Sequence, residues 1–111
     1  MPAPFPKGDI MKLIKIIAQK IEEEMRDAED YAKLAFAWRQ ENPDVSETFL
    51  ALSKQEVSHA TMLHTQAERL VAAYRSEGNE VPPAMQALYE WEHEKLIDGM
   101  ARIKVMQDMV R

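Results

Sequence analysis

Apolar residues recur at intervals of three and four along most of this chain. The pattern runs through residues 10–38, 45–74 and 85–110, and charged residues fill the positions between the apolar ones. This spacing places the apolar side chains on one face of an α-helix, since a helix turns once in about 3.6 residues. The pattern therefore predicts three amphipathic helices.

Proline and capping residues predict where the first helix begins and ends. Residues 1–8 contain three prolines and a glycine, a composition that predicts a flexible N-terminal arm. Asp9 is a candidate N-cap, because a side-chain oxygen can accept a hydrogen bond from a free backbone N–H of the first turn. Pro43 disfavours helical conformation at the residue before it. We therefore predict a first helix over residues 9–41.

The other two helices have their own start and stop signals. Asp44 and Glu47 have the spacing of a capping box, and Gly78 is suited to the left-handed conformation that ends many helices. Pro82 and Pro83 are compatible with a helix's first turn. The predicted helices span residues 44–77 and 83–110.

Helices of this length, joined by short connections, predict an all-α fold. Each is about 40 to 50 Å long at 1.5 Å per residue, and sequential neighbours should run antiparallel. We expect one domain over residues 9–111, a long helical hairpin with a third helix packed on it. Three such helices enclose little interior, so we also expect self-association into a homodimer or a larger homo-oligomer.

Composition narrows the function classes. The 14 Lys and Arg residues against 19 Asp and Glu give a net charge of -5, which argues against binding to duplex nucleic acid. Cysteine is absent, which excludes a disulfide framework, a thiolate zinc site and an iron–sulfur cluster. No apolar run reaches membrane-spanning length and the N-terminus lacks a signal-peptide layout, so we expect a soluble cytoplasmic protein.

Three polar residues interrupt the apolar faces of the first two helices. Glu24 occupies a position between Ile21 and Ala28, and Glu56 and His59 interrupt the second helix three residues apart on one face. A hairpin centred near Pro43 places Glu24 about one turn from the other two, within side-chain reach. Buried carboxylates need a cation or a proton to offset their charge, so the trio is a candidate metal site. Carboxylate and imidazole ligands favour iron or manganese.

These residues and Tyr31 resemble the ferritin-like superfamily, and most closely its rubrerythrin branch. That branch carries Glu-x6-Tyr on one helix and Glu-x-x-His on the next, and here the matching residues are Glu24 with Tyr31 and Glu56 with His59. The resemblance covers about residues 21–70. It implies that Glu24, Glu56 and His59 are ligands of a di-iron or di-manganese site, and that Tyr31 donates a hydrogen bond to a ligating carboxylate.

The chain departs from that family in two ways. Family members usually encode both halves of the site in one four-helix chain, and rubrerythrins add a cysteine-ligated module that a cysteine-free chain lacks. With half a site per chain, we expect two copies to form a ferritin-like four-helix bundle around two metal ions. The resemblance implies oxidation of Fe(II) by O2 or hydrogen peroxide.

The third helix and the methionines are weaker candidates for metal ligands. Glu90 and His93 form a second Glu-x-x-His pair, but the expected level of the helices puts them about 13 Å from the first site. We therefore interpret them as part of an acidic polar face, unless this helix moves onto another subunit. His64 is expected at the surface or beside the metal ligands. The eight methionines indicate adaptable packing more than copper binding.

Two other functions stay open at the level of sequence. Polar residues on an apolar face can specify helix register, so the chain could be a non-catalytic helical interaction module. Iron storage, with dimers assembling into a cage or entering one, rests on the family resemblance alone.

Overall fold

The chain folds into three long α-helices. A computed structural model describes residues 7–110, with side chains from Ile10 onward. Its helices are α1 (Lys7–Trp38), α2 (Pro43–Ser76) and α3 (Pro83–Asp108), and no strand occurs within this range. The all-α class and the three segments predicted from apolar spacing are confirmed.

Helix α1 begins earlier than its sequence predicts. Lys7 and Gly8 are already helical, so Asp9 lies inside the helix instead of capping it, and these two residues are not part of a flexible arm. Ile10 is fully buried, which anchors the first turn against the rest of the molecule. Residues 1–6 lie outside the described part of the chain.

The turn between α1 and α2 is also displaced from the predicted position. Helix α1 ends at Trp38, and the Arg39 side chain donates a hydrogen bond of 2.6 Å to the Phe36 carbonyl oxygen at this end. Asn42, not Asp44, is the N-cap of α2: its side-chain oxygen accepts a hydrogen bond from the Val45 backbone N–H at 3.3 Å. The predicted capping box is therefore wrong. Asn42 takes that role because the helix already begins at Pro43, which suits a first helical position.

Helix α2 ends at Ser76, one residue before the predicted end, and Gly78 follows it as the predicted stop signal. Gly78 has a φ of 86°, a left-handed conformation that favours glycine, and its N–H donates to the Arg75 carbonyl oxygen at 2.9 Å. Helix α3 then begins at Pro83, as predicted, and ends at Asp108, two residues before the predicted end.

Two buried serines set the register of the α1–α2 hairpin. Ser46 donates a hydrogen bond to the Ala35 carbonyl oxygen at 2.5 Å, and Ser53 donates to that of Ala28 at 2.6 Å. The helices therefore run antiparallel about a point between residues 40 and 41. The hairpin centre predicted near Pro43 is about two residues too late, because α1 stops at Trp38.

Helix α3 packs on the hairpin parallel to α1. Lys95 forms an ion pair with Glu22, and seven residues further along both helices Arg102 pairs with Glu29 at 3.2 Å. Gln107 also donates a hydrogen bond of 2.9 Å to the Ser53 hydroxyl. One buried serine thereby links all three helices, which form an up-down-up arrangement.

The core lies between the hairpin and α3. Its buried apolar residues from α1 are isoleucines and alanines. Those from α2 are Leu50, Ala60, Ala67, Val71 and Tyr74. The core comprises Ile10, Ile14, Ile17, Ala18, Ile21, Ala28, Ala32, Ala35, Leu50, Ala60, Ala67, Val71, Tyr74, Met85, Leu96 and Ile103. The apolar spacing of α2 predicts a buried face through Val45, Phe49, Leu52, Leu63, Ala67, Leu70 and Tyr74. Only Ala67 and Tyr74 of this face are buried, so α2 is rotated and the rest of the face is turned partly out of the core.

A second apolar surface of the hairpin is left uncovered by α3. We call it the uncovered face; Leu34, Trp38, Val45 and Met62 are between 39% and 65% exposed on it. Tyr31 and Phe49 are half-buried there, and their rings stack with centroids 6.1 Å apart. None of the helices in the described range is long and apolar enough to cross a membrane.

Candidate metal centre

Glu24, Glu56 and His59 converge at one edge of the hairpin. Nδ1 of His59 lies 3.5 Å from Oε2 of Glu24 and 3.8 Å from Oε1 of Glu56. One potential ligand atom from each residue lies within 4.8 Å of the other two. The structure thus brings together the three side chains that the sequence singled out as candidate metal ligands.

The register of the hairpin explains this convergence. Ser53 faces Ala28, so four residues along each helix Glu24 is level with Val57. Val57 lies between Glu56 and His59 in the sequence, which removes the offset of one turn expected from a later hairpin centre. The shorter turn therefore improves the geometry of the candidate site.

The Glu24 carboxyl group disfavours ionisation of the neighbouring Glu56 carboxyl group. Oε2 of Glu24 is buried and accepts no hydrogen bond. The pKa of Glu56 is raised to about 7, first by a hydrogen-bond contact with the Glu24 carboxyl group and then by burial and the negative charge of Glu24. A cation placed between these groups would offset this repulsion, because opposite charge favours the ionised carboxylates. The donor set of two carboxylates and one imidazole suits iron or manganese.

The site lies at a surface, not in the dry interior expected from the sequence. The His59 side chain is 50% exposed, that of Glu24 28% and that of Glu56 17%. The reason is the rotation of α2 described above, which directs Ala60 and His64 into the core and His59 outward. An open groove of about 430 Å³ adjoins the site and is lined by Glu24, His59, Met62, Leu63 and Gln66.

Tyr31 lies about two turns from Glu24 on α1, and its ring packs against Phe49. Among the residues that the structure describes, no hydrogen bond joins Tyr31 to a carboxylate. Its role as a donor to a ligating carboxylate stays a prediction.

Helix α3 contributes His93 to a different cluster. Nδ1 of His93 lies 3.0 Å from Nε2 of His64, and Nδ1 of His64 lies 3.0 Å from Oε1 of Glu68. His64 is buried, so the expectation that it lies at the surface is wrong. Glu90 is not part of this cluster and accepts a hydrogen bond from Gln86 at 2.8 Å. The four-residue spacing of His64 and Glu68 on α2 is the signal that sequence reasoning missed.

A second pair of carboxyl groups lies between α1 and α3. Glu92 is only 7% exposed, and its pKa is raised to about 7 by burial and by the nearby negative charge of Glu22. The pKa of Glu22 is lowered, chiefly by its hydrogen bond with Lys95. The acidic polar face predicted around residues 90–94 thus includes one buried residue, Glu92. It is buried because this side of α3 packs against α1.

Comparison with known proteins finds no matching protein-family model, no matching curated protein and no matching solved structure.

Proposed function

We propose that two copies of this chain pair through the uncovered face and complete a di-metal site from Glu24, Glu56 and His59 of each copy. The bound metal is iron, with manganese as the other candidate, and the protein oxidises Fe(II) with O2 or hydrogen peroxide. The observation that carries the proposal is the convergence of the three side chains around a buried carboxylate oxygen without a partner.

The donor set supports a metal with a preference for oxygen and imidazole ligands. Two copies would supply four carboxylates and two imidazoles, which is the ligand composition of di-iron and di-manganese carboxylate bundles. Carboxylates suit Fe(III) as well as Fe(II), because the higher charge is offset by the same anionic ligands. Two Fe(II) ions supply two electrons, and hydrogen peroxide accepts them with two protons to give two water molecules.

The position of the site supports its completion by a second copy. Three ligands on one hairpin leave coordination positions open toward solvent, and the adjoining surface is apolar. Leu34, Trp38, Val45 and Met62 are exposed there although large apolar side chains favour burial. A two-fold axis through this surface would place the two ligand trios opposite each other and bury the apolar side chains.

Iron oxidation by purified variants tests this proposal. We expect Glu56→Ala and His59→Ala to lose most Fe(II) oxidation followed by absorbance of the Fe(III) product, because each removes a ligand. Glu23→Ala is the matched control, since Glu23 is the preceding residue on α1 and pairs with Lys20 on the exposed surface. Circular dichroism verifies that each variant is folded.

Undiminished oxidation in both ligand variants would refute the proposal. A second measurement separates binding from chemistry: in equilibrium dialysis against Fe(II) without oxidant, Glu56→Ala should bind one ion fewer per chain than the unmodified protein. Sedimentation with and without metal measures the expected dimer.

The exposed apolar face also favours a second candidate, a non-catalytic module that associates with another helical protein or with itself. In that case Glu24, Glu56 and His59 fix the register of the partner helix without binding metal. Elemental analysis of protein purified without added metal discriminates the two candidates. Iron or manganese near one ion per chain supports the di-metal protein, and a trace amount supports the interaction module.

A further inference from the structure

The described part of the chain contains a second group of potential metal ligands, on the other side of α2. His64, Glu68 and His93, which we call the α2–α3 cluster, each offer one ligand atom, and these atoms lie within 4.8 Å of one another. The cluster shares no residue with the candidate di-metal site. It joins α2 to α3, which are also linked by the hydrogen bonds from Arg75 to Gln86 and from Gln107 to Ser53.

The distance between the two imidazoles of the cluster is close to that of two ligands around one small cation. Nε2 of His64 and Nδ1 of His93 are 3.0 Å apart. Two nitrogen ligands of a tetrahedral zinc ion, with bonds of about 2.0 to 2.1 Å, are separated by about 3.3 to 3.4 Å. The two rings therefore need to separate by only a few tenths of an ångström. The Glu68 carboxylate contacts Nδ1, the other ring nitrogen of His64, and its long, half-exposed side chain has to turn toward Nε2 to become the third ligand.

The surroundings of the cluster hold the rings in place. Tyr89 stacks on both imidazoles, with its ring centroid 5.7 Å from that of His64 and 6.4 Å from that of His93. His64 is buried, which restricts the movement of its ring. His93 and Glu68 are exposed, which leaves a path for an ion and a position for water.

We propose that His64, Glu68 and His93 form a second metal site that binds one divalent cation of the zinc type and links α3 to α2. Two imidazoles and one carboxylate are a known ligand set for zinc, with water in the fourth position. The greater share of nitrogen distinguishes this site from the carboxylate-rich trio at the hairpin edge, which suits harder metals. The site needs no second copy of the chain, because all three ligands come from one chain.

Zinc binding is measured in a full-length variant that lacks the first site, Glu56→Ala with His59→Ala, so that failure here is distinguishable from failure of the proposed di-metal function. Calorimetric titration of this metal-free background with ZnCl2 should show one ion per chain and a rise in melting temperature. Adding His93→Ala should weaken binding by more than about 100-fold, since even indirect partners of a zinc ligand cost about 10- to 100-fold. Adding Glu90→Ala, a nearby exposed change on α3, should leave zinc affinity unchanged.

A spectroscopic measurement identifies the ligands. Co(II) added to the background should give the intense visible absorption of a four-coordinate ion, and His93→Ala should abolish it. The proposal is overturned if the background binds no zinc, or if His93→Ala binds zinc as tightly as Glu90→Ala. Either result would leave the cluster as a hydrogen-bonded chain from Glu68 through His64 to His93.

Discussion

Nδ1 of His59 on α2 lies 3.5 Å from Oε2 of Glu24 on α1, although the two residues are 35 positions apart in the chain. That oxygen is buried and has no hydrogen-bond donor. The pair, together with Glu56, concentrates negative charge at a place where the fold alone does not offset it. This imbalance leads to the first prediction.

Removing the charge of Glu56 should stabilise the metal-free protein. Above pH 7 Glu56 is ionised beside Glu24, which costs folding free energy, so Glu56→Gln should melt at a higher temperature than the unmodified protein at pH 8. The same variant should lose metal binding at the candidate di-metal site, because an amide is a poor ligand. Thermal denaturation in the presence of a chelator measures the first effect. A lower melting temperature for Glu56→Gln would contradict the expected repulsion.

Metal-free protein should lose stability as the pH rises from about 4.5 to about 7. The folded-state pKa of Glu92 is about 7 and that of an unfolded glutamate about 4.5, so the folded protein binds more protons in this window. The stabilisation is complete below pH 4.5 and is lost above pH 7. Glu22 and Lys95 face this carboxyl group and act in opposite directions, with Glu22 raising the pKa and Lys95 lowering it.

Urea denaturation at several pH values measures this slope, and Glu92→Gln should reduce it. Part of the slope should remain, because the pKa of Glu56 is raised over the same range. Glu94→Gln is the control, since Glu94 is exposed on the same helix. An unchanged slope in Glu92→Gln would show that this group titrates normally.

Asn42 should stabilise the start of α2 more than Asp44 does. Asn42→Ala removes the side-chain acceptor of the Val45 N–H and should lower the free energy of unfolding by about 1 kcal/mol. Asp44→Ala removes only a favourable charge in the first turn, worth about 0.3 kcal/mol at an exposed position. Chemical denaturation of both variants checks the order. A larger loss of unfolding free energy in Asp44→Ala than in Asn42→Ala would support the capping box expected from sequence.

A charge on the uncovered face should prevent self-association. Met62 is 65% exposed beside the groove at Glu24, so Met62→Glu would place a further carboxylate on the face through which we propose that two copies pair, and should shift the protein toward monomer. Val105→Glu is the matched control, because Val105 is 61% exposed on α3. Sedimentation velocity across a range of concentrations compares them. Equal association of both variants would place the interface elsewhere.

The helical pattern and the candidate ligands could be predicted from sequence because apolar spacing and its interruptions are local features. Glu24, Glu56 and His59 stood out as charged residues at apolar positions, and the structure brings them together. The predicted alignment of α1 and α2 along their axes was less accurate. It depends on where α1 stops, and the side chain of Arg39 and the cap at Asn42 decide that by hydrogen bonds that no periodicity reveals.

The rotation of α2 could not be predicted from apolar spacing. Small residues such as Ser53 and Ala60 face the core, while the larger Phe49 and Leu52 lie toward the uncovered face. Because α1 and α2 approach closely, only small side chains fit between them. Side-chain size therefore decides which face of α2 is buried more than hydrophobicity does. The burial of His64 follows from the same rotation, and its contact with His93 needed the position of α3, which short-range patterns do not contain.

The hydroxyl group of Ser53 touches a backbone carbonyl of one neighbouring helix and a side-chain amide of the other. Sliding any helix along its length by one residue, about 1.5 Å, would break at least one of these contacts. A single oxygen atom thus restricts the movement of all three helices along their axes. Because both groups of candidate ligands include residues of α2, the alignment of each group depends on the hydrogen bonds of Ser53.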